Sequence, residues 1–432
     1  MGKHLVVISN DAMVYEDVEV LKKLPNFKKY WDKVACVDRV RSIYPSVTYP
    51  CHCTMMTGVY PDKHQVINNE QLIMGERGSK WTHFRESVKA KTIFDWAKEA
   101  GLTTAAVFWP VTGNDKNIDY LVNEYWPQTP DEGSAECFAN SGSSPEVMEK
   151  IVYPNINLVI GQERKHPYAD TFVMACASAI IREFKPNLLM VHPAQVDSYR
   201  HGTGLFTERV TQGLYETDYW FGDIVKATVD AGIFEDTTFI ITADHGQINI
   251  VRTLSPNVIF AENGLIDVDE EGKVRDYVAF AKSAGASTHV FLKNPEDKEA
   301  YDKVYNLLMD LYKQEVYGFG RVFTKEEVEK EYHLSGDFSF VIETDGYSSF
   351  TNEWLRPYIR PLDTSDYKFG RATHGYCPEK GPQPTMFGFG PGLKPGAVIK
   401  NANLVDEAPT FARILGIEMK DVDGVVLKDI LA

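Results

Sequence analysis

Aspartate and histidine side chains stand beside short apolar runs in four separate segments of the sequence. The set is Asp11, Asp197, His201, Asp244, His245 and His374. Mixed carboxylate and imidazole ligands suit zinc and, less selectively, manganese or iron. Six such side chains are too many for one tetrahedral ion, but they suffice for two ions that each keep a position for a substrate. Two ions ~4 Å apart are a common device for in-line displacement at phosphorus.

Each of these residues also has an ordinary structural explanation. Asp11 could cap a turn, Asp197 and His201 could pair on one helix face, and an isolated histidine is more often a satisfied surface or core residue than a ligand. However, all four segments lie at the ends of predicted strands. Ligands of open α/β sheets bind beyond the carboxyl ends of the strands, so the coincidence favours one shared site.

The segment SVTYPCHCTMMTG, residues 46–58, has two competing interpretations. In the first, Cys51, His52 and Cys53 bind a metal ion. In the second, Thr48 carries the chemistry and the cysteines only pack. If residues 51–53 are helical, consecutive side chains diverge by ~100° and cannot converge on one ion.

Alternating strand and helix patterns predict the elements that position these side chains. Strands are predicted at 4–9, 103–110, 187–193, 237–246 and 385–392, and helices at 91–101, 169–184, 208–232 and 406–416. This alternation is typical of an α/β fold whose parallel sheet carries helices on both faces. Residues 251–370 are more charged and less regular. We therefore expect a catalytic core of residues 1–250 and 371–432, interrupted by a cap at 251–370.

Composition limits the classes of partner. The formal charge of −16 disfavours long nucleic acid as the main partner, but it permits a small phosphorylated substrate held by metal ions. No apolar run approaches the ~20 residues of a membrane span. The start, MGKHLVVISND, lacks the features of a signal peptide, and six cysteines are too sparse for a disulfide scaffold. These features predict a cytoplasmic protein with free thiols; the oligomeric state is not indicated.

The motifs, in this order, resemble the alkaline phosphatase superfamily, and within it the nucleotide pyrophosphatase/phosphodiesterase (type I phosphodiesterase) family. TYPCHCTMMTGVYPDKHQ is similar to the family's Thr-Phe-Pro-Asn segment and the Thr-Gly-x-x-Pro-x-x-His-Gly that follows it. DSYRH, ADHGQ and ATHGY resemble its Asp-x-x-Gly-His, Ser-Asp-His-Gly-Met and Gly-x-His-Gly-Tyr. The resemblance implies an alkaline-phosphatase-like three-layer sandwich, with a mostly parallel central sheet, helices on both faces and an inserted cap.

The resemblance also implies roles for individual residues. Thr48 would be the nucleophile, near the N-terminus of a short helix that ends at Gly58, where backbone N–H groups favour an anion. One metal would be held by Asp197, His201 and His374, and the other by Asp11, Asp244, His245 and the Thr48 oxygen. Asn69, which follows Asn68, would hold a phosphoryl oxygen, and such a neutral donor suits a diester. Without the resemblance, a plain turn would explain the two asparagines better.

Several positions depart from the family pattern, and none of them is a predicted ligand. Cys51 replaces an asparagine, Arg200 replaces a glycine and Gln247 replaces a methionine. We expect Cys51 to pack against the pocket wall, with an altered substrate contact as the alternative. We expect Arg200 to pair with a surface acid, with a contact to the substrate as the alternative. These departures bear on the substrate more than on the reaction.

Aromatic side chains flank the leaving group in the family. Tyr49 is the first candidate for this contact and Trp109 the second, although Trp109 could equally be packing. Tyr153 and Tyr168 are weaker candidates. Such a wall could stack on a nucleobase or box a choline head group.

The resemblance therefore implies a metal-dependent hydrolase with two divalent ions, of which zinc is favoured. It would cleave phosphodiester or pyrophosphate bonds of small substrates such as nucleotides, through a covalent phospho-threonine intermediate. The alternatives are a phosphonate or phosphomonoester hydrolase on the same core, or a catalytically silent metal- or ligand-binding protein.

Overall fold

The computed structural model of the chain describes residues 3–75, 80–365 and 370–432. Its strands, in chain order, are β1 (His4–Ser9), β2 (Ala35–Arg41), β3 (Thr104–Val107), β4 (Tyr120–Val122), β5 (Leu188–Val191), β6 (Thr237–Thr242), β7 (Ile248–Asn249), β8 (Arg252–Leu254), β9 (Ile266–Val268), β10 (Val274–Tyr277), β11 (Ala279–Ser283), β12 (Ser287–Leu292), β13 (Phe319–Thr324), β14 (Phe340–Thr344), β15 (Ser348–Phe350), β16 (Ile359–Arg360), β17 (Ala372–Thr373), β18 (Met386–Phe389) and β19 (Val398–Asn403).

The α-helices within the same ranges are α1 (Val18–Leu21), α2 (Pro25–Lys28), α3 (Thr48–Thr57), α4 (Pro61–His64), α5 (Ile93–Glu99), α6 (Glu136–Asn140), α7 (Pro145–Val147), α8 (Tyr153–Asn155), α9 (Tyr168–Phe184), α10 (Gln195–Thr203), α11 (Glu208–Asp230), α12 (Pro256–Glu262), α13 (Lys298–Lys313), α14 (Lys325–Tyr332) and α15 (Glu407–Ile414). None of these helices is both long and apolar enough to cross a bilayer.

An eight-stranded sheet in the order β19-β2-β18-β6-β1-β5-β3-β4 forms the middle layer. All its neighbouring strands pair in parallel except β18, which runs antiparallel to β2 and β6. Alternate residues of β1 enter different apolar clusters. Val6 and Ile8 pack with residues of α9 and α11, whereas Leu5 and Val7 pack with residues of α3, α5 and α15. The predicted α/β three-layer sandwich, with helices on both faces of a mostly parallel sheet, is confirmed.

The strand predicted at 103–110 ends early, at Val107. Phe108 and Val111 both have positive φ angles, of 55° and 60°. Residues other than glycine seldom adopt this left-handed region, which is incompatible with a continuing strand. The chain therefore turns away at the carboxyl edge of the sheet, where the candidate ligands also lie.

The region predicted as the cap begins and ends beside a pair of short strands. β7 and β17 pair antiparallel, with Asn249 opposite Ala372. Between them, β11, β12, β14 and β13 form an antiparallel sheet. Side chains of α13 pack with sheet residues such as Phe280 and Val290 in an apolar cluster that is separate from the clusters of the central sheet. The sequence pattern of this region predicts a helix within 293–314 and a strand within 335–346, and these correspond to α13 and β14. The cap limits of 251–370 stay a prediction.

A turn of this region touches the segment that carries His374. The backbone N–H of Ala286 donates to the carbonyl oxygen of His374 at 2.8 Å. Gly375 has a φ of 94°, and a Cβ at this position would lie 1.8 Å from the carbonyl oxygen of Ala284. Only glycine fits this contact, so the turn fixes the backbone on which His374 stands.

The expectation that Arg200 pairs with a surface acid is wrong. Its side chain is fully buried and forms an ion pair with the buried Asp17. Its Nη1 also donates to the carbonyl oxygen of Leu205 at 2.8 Å. The expectation failed because Arg200 lies on the inward side of α10, which the sequence pattern did not reveal. The pair joins α10, and with it the ligand-bearing turn, to the segment after β1.

We expect Arg200→Met to lower the unfolding free energy by about 3–5 kcal/mol, because it leaves the Asp17 carboxylate buried without its partner. Urea unfolding measures this change. Adding Asp17→Asn to the variant should recover part of the loss. As a control, Arg275→Met breaks the exposed pair with Asp267 and should cost no more than about 1 kcal/mol. Equal costs for the buried and the exposed pair would contradict the prediction.

Glu407, the first residue of α15, is a buried carboxyl group beneath the site. The Thr242 hydroxyl donates to its Oε1 at 2.6 Å, and burial raises its pKa from 4.5 to about 8. Between these two pH values the native state binds one proton more than the unfolded state. Stability from this group is therefore complete below the unfolded pKa and is lost as the pH rises through the folded pKa.

The Glu407→Gln variant tests this linkage, because a neutral amide keeps an acceptor for Thr242 and does not titrate. The unfolding free energy of the wild type should fall relative to the variant by up to about 1.4 kcal/mol per pH unit in that window. Urea titrations at pH 5.5, 7 and 8.5, with the same metal present throughout, measure the difference. Parallel pH profiles for the two proteins would contradict the raised pKa.

Candidate active site

The predicted ligands are brought together by the order of the central strands. Asp11 lies two residues after β1 and Asp244 two residues after β6, while Asp197 is in the first turn of α10, which follows β5. β1 lies between β5 and β6, and all three run parallel. Their carboxyl ends therefore meet at one edge, as is usual for ligand sites in such sheets.

The six side chains form two buried groups in which all the candidate ligand atoms lie within 4.8 Å of one another. One group is Asp197, His201 and His374, and the other is Asp11, Asp244 and His245. In the second group, His245 Nε2 lies 3.4 Å from Asp11 Oδ1 and 3.2 Å from Asp244 Oδ2. The rings of His245 and His374 stack with centroids 4.0 Å apart, so the two groups adjoin.

Backbone carbonyl groups orient all three imidazole rings. Nδ1 of His201 donates to the oxygen of Ala372 at 2.7 Å. Nδ1 of His374 and Nδ1 of His245 lie 3.2 Å from the oxygens of Ser46 and Gly246, respectively. A carbonyl oxygen can only accept, so each Nδ1 carries the proton and each Nε2 keeps its lone pair for a metal. Such support is typical of metal-binding histidines.

The carboxylates are also held by neighbouring groups. Ala12 N–H donates to Asp244 Oδ1 at 3.2 Å. His192 Nε2 lies 3.2 Å from Asp11 Oδ2. Gln247, which stands where the family has methionine, donates from Nε2 to Asp197 Oδ1. This departure from the family pattern therefore supports a ligand.

The donor set fits divalent cations. Within the described ranges, Asp11 Oδ1 and Asp244 Oδ2 are buried and have no hydrogen-bond partner. A buried carboxylate oxygen without a donor is costly, and a cation would compensate for it. Three carboxylates and three imidazoles match zinc in ligand type.

The pKa shifts of the three carboxyl groups also indicate a site for divalent cations. Burial, and then the Asp197 carboxylate, raise the pKa of Asp11 well above its ordinary value. Burial and the Asp11 carboxylate do the same to the pKa of Asp244. Burial also opposes ionisation of Asp197, yet its histidine neighbours, His201 first, lower its pKa below the ordinary range. Divalent charge would stabilise all three anions together.

Thr48 is the first residue of α3, and its Oγ1 lies 3.2 Å from Nε2 of His245. The helix ends at Gly58, whose φ is 71°. Both features agree with the predicted short helix. The structure thus places the Thr48 hydroxyl against the Asp11–Asp244–His245 group.

The Cys-His-Cys segment lies inside α3 and forms no ligand cluster. His52 Nδ1 donates to the Thr48 carbonyl oxygen at 2.8 Å, and its Nε2 lies 3.0 Å from Ser9 Oγ. Cys51 is buried with Sγ 3.4 Å from Ser42 Oγ. Cys53 is buried among apolar side chains. All six cysteines are free thiols, as expected.

Asn69 lies beside Thr48, and the two side chains line the same cleft. Asn69 Oδ1 accepts the backbone N–H of Tyr49 at 2.8 Å. Because an N–H can only donate, this contact fixes which end of the amide is the oxygen. The neighbouring Asn68 donates to the carbonyl oxygen of Ser283, so its role is structural.

Tyr49 and Trp109 do not line the cleft, which contradicts the expected contact of Tyr49 and favours packing, the alternative for Trp109. Both side chains are fully buried. Trp109 packs against His52 with ring centroids 4.7 Å apart, and Tyr49 packs edge-on against Trp81 at 5.2 Å. In this arrangement neither ring offers a face to a ligand. The side chains of Tyr153 and Tyr168 are exposed.

The cleft of about 700 Å³ has a wall that the sequence patterns did not indicate. It includes Glu70, Trp81, Glu124, Trp126, Arg164 and His166. These residues lie in irregular segments without helical or strand periodicity. Only long-range packing brings them together, so the sequence alone carried no signal for the wall.

Residues 5–377 match the family model described as type I phosphodiesterase / nucleotide pyrophosphatase. A curated relative, ectonucleotide pyrophosphatase/phosphodiesterase 2 of Saccharomyces cerevisiae, is 23% identical over 291 residues, which are 66% of this chain and 54% of the relative. Bis(5'-adenosyl)-triphosphatase enpp4 of Mus musculus is 22% identical over 418 residues, 93% of this chain and 75% of the relative. The chain spans about half of the yeast relative. It spans 21% of another similar protein, ectonucleotide pyrophosphatase/phosphodiesterase family member 1 of Rattus norvegicus.

Solved structures share the fold over nearly the whole chain. Murine ectonucleotide pyrophosphatase/phosphodiesterase 5 superimposes with a TM-score of 0.67 at 16% identity, covering 99% of this chain and 100% of the murine one. The human protein of the same name gives 0.68 at 18% identity and covers 99% of each chain. These likenesses show the common architecture.

Removal of divalent cations should lower the melting temperature by several degrees, and added zinc should restore it. A cation at a hundred times its dissociation constant adds about 2.7 kcal/mol to the unfolding free energy. Calorimetry after EDTA dialysis, with and without zinc, measures the shift. Asp244→Asn should lose much of the zinc response, whereas Cys53→Ala should keep it. A response lost in Cys53→Ala alone would contradict the assigned ligands.

Proposed function

The chain belongs to the type I phosphodiesterase / nucleotide pyrophosphatase family, and on that premise we propose that it is a metal-dependent hydrolase of small phosphodiesters or pyrophosphates. The proposed reaction passes through a covalent phospho-threonine intermediate on Thr48. The observation that carries this proposal is the position of the Thr48 hydroxyl, at a helix N-terminus and 3.2 Å from His245 Nε2.

Nucleotides are the substrate class that the relatives support. One murine relative is named bis(5'-adenosyl)-triphosphatase. An inactive variant of murine ectonucleotide pyrophosphatase/phosphodiesterase 5 was solved in complex with AMP. The cleft beside Thr48, at about 700 Å³, is within the usual size range of small-molecule sites.

Two divalent cations, with zinc favoured by the donor set, are assigned to the two buried groups. Asp197, His201 and His374 would hold one, and Asp11, Asp244, His245 and the Thr48 oxygen the other. When bound, such cations make a hydroxyl more acidic and offset negative charge on phosphoryl oxygens. The carbonyl groups behind the imidazole rings engage the Nδ1 atoms, which leaves the Nε2 atoms available to hold the cations.

The protein's own groups then divide the reaction into two steps. In the first, Thr48 Oγ1 loses its proton and bonds to phosphorus, and the alcohol or phosphate substituent leaves and takes up a proton. In the second, water bonds to phosphorus and loses a proton, the bond from phosphorus to Oγ1 breaks, and Oγ1 regains a proton. Asn69 is anchored through its Oδ1 on the Tyr49 N–H, so its amide N–H groups are turned toward other acceptors. In the proposed reaction they donate to a non-bridging oxygen beside Thr48, and a neutral donor suits the single charge of a diester.

Thr48→Ala should lower kcat/KM for a diester by more than about a thousandfold, because removing a nucleophile removes the covalent route. Hydrolysis of p-nitrophenyl thymidine monophosphate by the zinc-loaded protein measures this loss. Thr48→Ser keeps a hydroxyl and should keep part of the activity. Thr57→Ala is the matched control in the same helix, since its hydroxyl donates to the Cys53 carbonyl and accepts the Val59 N–H, neither of which lines the cleft, and it should keep most of the activity.

A substrate panel separates the remaining alternatives. The wild type should hydrolyse bis-p-nitrophenyl phosphate and p-nitrophenyl thymidine monophosphate faster than p-nitrophenyl phosphate. Faster turnover of the monoester would contradict the diester assignment. Full activity of Thr48→Ala would contradict the covalent intermediate, and no turnover of any ester would favour a silent binding protein.

A further inference from the structure

The segment just before α9 contributes three consecutive cationic residues to the cleft. Arg164, Lys165 and His166 all line it, although the chain as a whole carries a charge of −16. A local run of positive charge in such an acidic protein favours an anionic group at this wall.

Arg164 lies over two indole rings of the same wall. Its guanidinium carbon is 4.5 Å from the centre of the Trp126 ring and 5.5 Å from that of Trp81. The two indoles meet edge to face, with centroids 5.3 Å apart. The 4.5 and 5.5 Å distances from the guanidinium to the two rings are within the range of a cation–π interaction. Two aromatic faces that could surround a ligand cation are therefore already occupied by a cation of the protein.

The carboxylates of this wall are largely committed to partners. Glu70 pairs with Lys282 at 2.8 Å. Glu163 accepts hydrogen bonds from Ser134 and from the backbone N–H of Gly161. Burial raises the pKa of Glu124 to about 7, so its charge is only partial at neutral pH. Glu70 and Glu124 therefore offset little of the positive charge that the wall presents to a ligand, whereas Glu163 keeps its charge and directs Oε1 at Ser134 and Gly161.

His166 adds a second cationic group. Its Nδ1 lies 2.7 Å from Asp170 Oδ2, and the other oxygen of Asp170 accepts the backbone N–H of Ala194 at 2.7 Å. Burial opposes protonation, but the Asp170 carboxylate outweighs it and raises the pKa of His166. The pair favours the protonated form of the imidazole at the edge of the cleft.

We propose that Arg164 is the built-in cation of the Trp81–Trp126 cage and selects substrates with an anionic substituent beyond the scissile phosphate. A quaternary ammonium head group is excluded because its place over the indoles is taken. His166 provides a further contact to the anionic substituent. This inference rests on the proposed function. It identifies nucleotides with a polyphosphate arm as the substrates of the proposed hydrolase, in preference to choline phosphodiesters.

Removing the guanidinium should therefore change which substrates the enzyme prefers, and not only lower its activity. Arg164→Ala takes away the positive charge and the guanidinium that lies over both indole rings. The emptied cage then resembles the aromatic boxes that bind quaternary ammonium groups. The variant should lose selectivity for an anionic arm and gain turnover of a choline ester.

Three probes test this directly in the zinc-loaded protein. ATP has an anionic arm, p-nitrophenyl phosphocholine has a cationic one, and p-nitrophenyl thymidine monophosphate has a nucleoside without further charge. In Arg164→Ala, kcat/KM for ATP should fall by about tenfold, the loss of one charge-assisted contact, and that for the choline ester should rise. The thymidine ester should change little. Arg164→Lys keeps a cation and should retain most of the preference for ATP.

Two further variants make the test specific. His166→Gln should lower kcat/KM for ATP several-fold without raising that for the choline ester. Arg209→Ala removes a cation from above Tyr199, where it lies 3.7 Å from the ring centre and outside the cleft, and should leave the ratio of ATP to choline-ester turnover unchanged.

The outcomes separate this inference from the proposed function. If the wild type hydrolyses the thymidine ester but Arg164→Ala leaves the ratio of ATP to choline-ester turnover unchanged, the role of Arg164 is refuted and the proposed function stands. A wild-type kcat/KM that is higher for the choline ester than for ATP would likewise refute the role of Arg164 and leave the proposed function standing. If the wild type hydrolyses none of the three probes, the proposed function fails, and this inference fails with it.

Discussion

Crowding of carboxylates and imidazoles at one buried edge of the sheet is the constraint on which the rest of the site depends. Asp11 and Asp244 lie within a few ångströms of each other, and each has an oxygen without a hydrogen-bond donor in the described structure. Burial raises the pKa of both carboxyl groups. Such an arrangement is unfavourable alone, and it becomes favourable when divalent cations complete it. This edge of the sheet is where the strand order brings together the ligands, the oriented histidines and the Thr48 hydroxyl.

The supporting structure holds the ligands from several directions. Parallel strands β5, β1 and β6 bring three ligand segments side by side. A turn of the 251–370 region holds the backbone of His374, and the buried Arg200–Asp17 pair fixes α10. Gln247 holds Asp197, where the family pattern has methionine. A metal site needs this second layer of contacts to keep its ligands in place, and here the contacts come both from the central sheet with its helices and from residues 251–370.

The sequence predicted features that depend on local pattern or on parallel-sheet topology. The strand at 4–9 and the helix at 169–184 match β1 and α9 closely, because apolar periodicity determines them. The ligand segments could be grouped because strand ends converge. The burial of Arg200 could not be predicted, because it depends on how α10 packs against the segment after β1, and for Trp109 the sequence left packing and substrate contact open. The wall of Trp81, Trp126 and Arg164 could not be predicted either, since it depends on long-range packing of irregular segments. The cytoplasmic location and the cap limits stay predictions.

An anomalous diffraction map from crystals grown with zinc would test the central claim most directly. The account predicts two zinc peaks about 4 Å apart. One should be bounded by Asp197, His201 and His374, and the other by Asp11, Asp244 and His245, with Thr48 Oγ1 beside the second. A single peak, or a peak at Cys51 and Cys53 with none at the strand ends, would contradict the account.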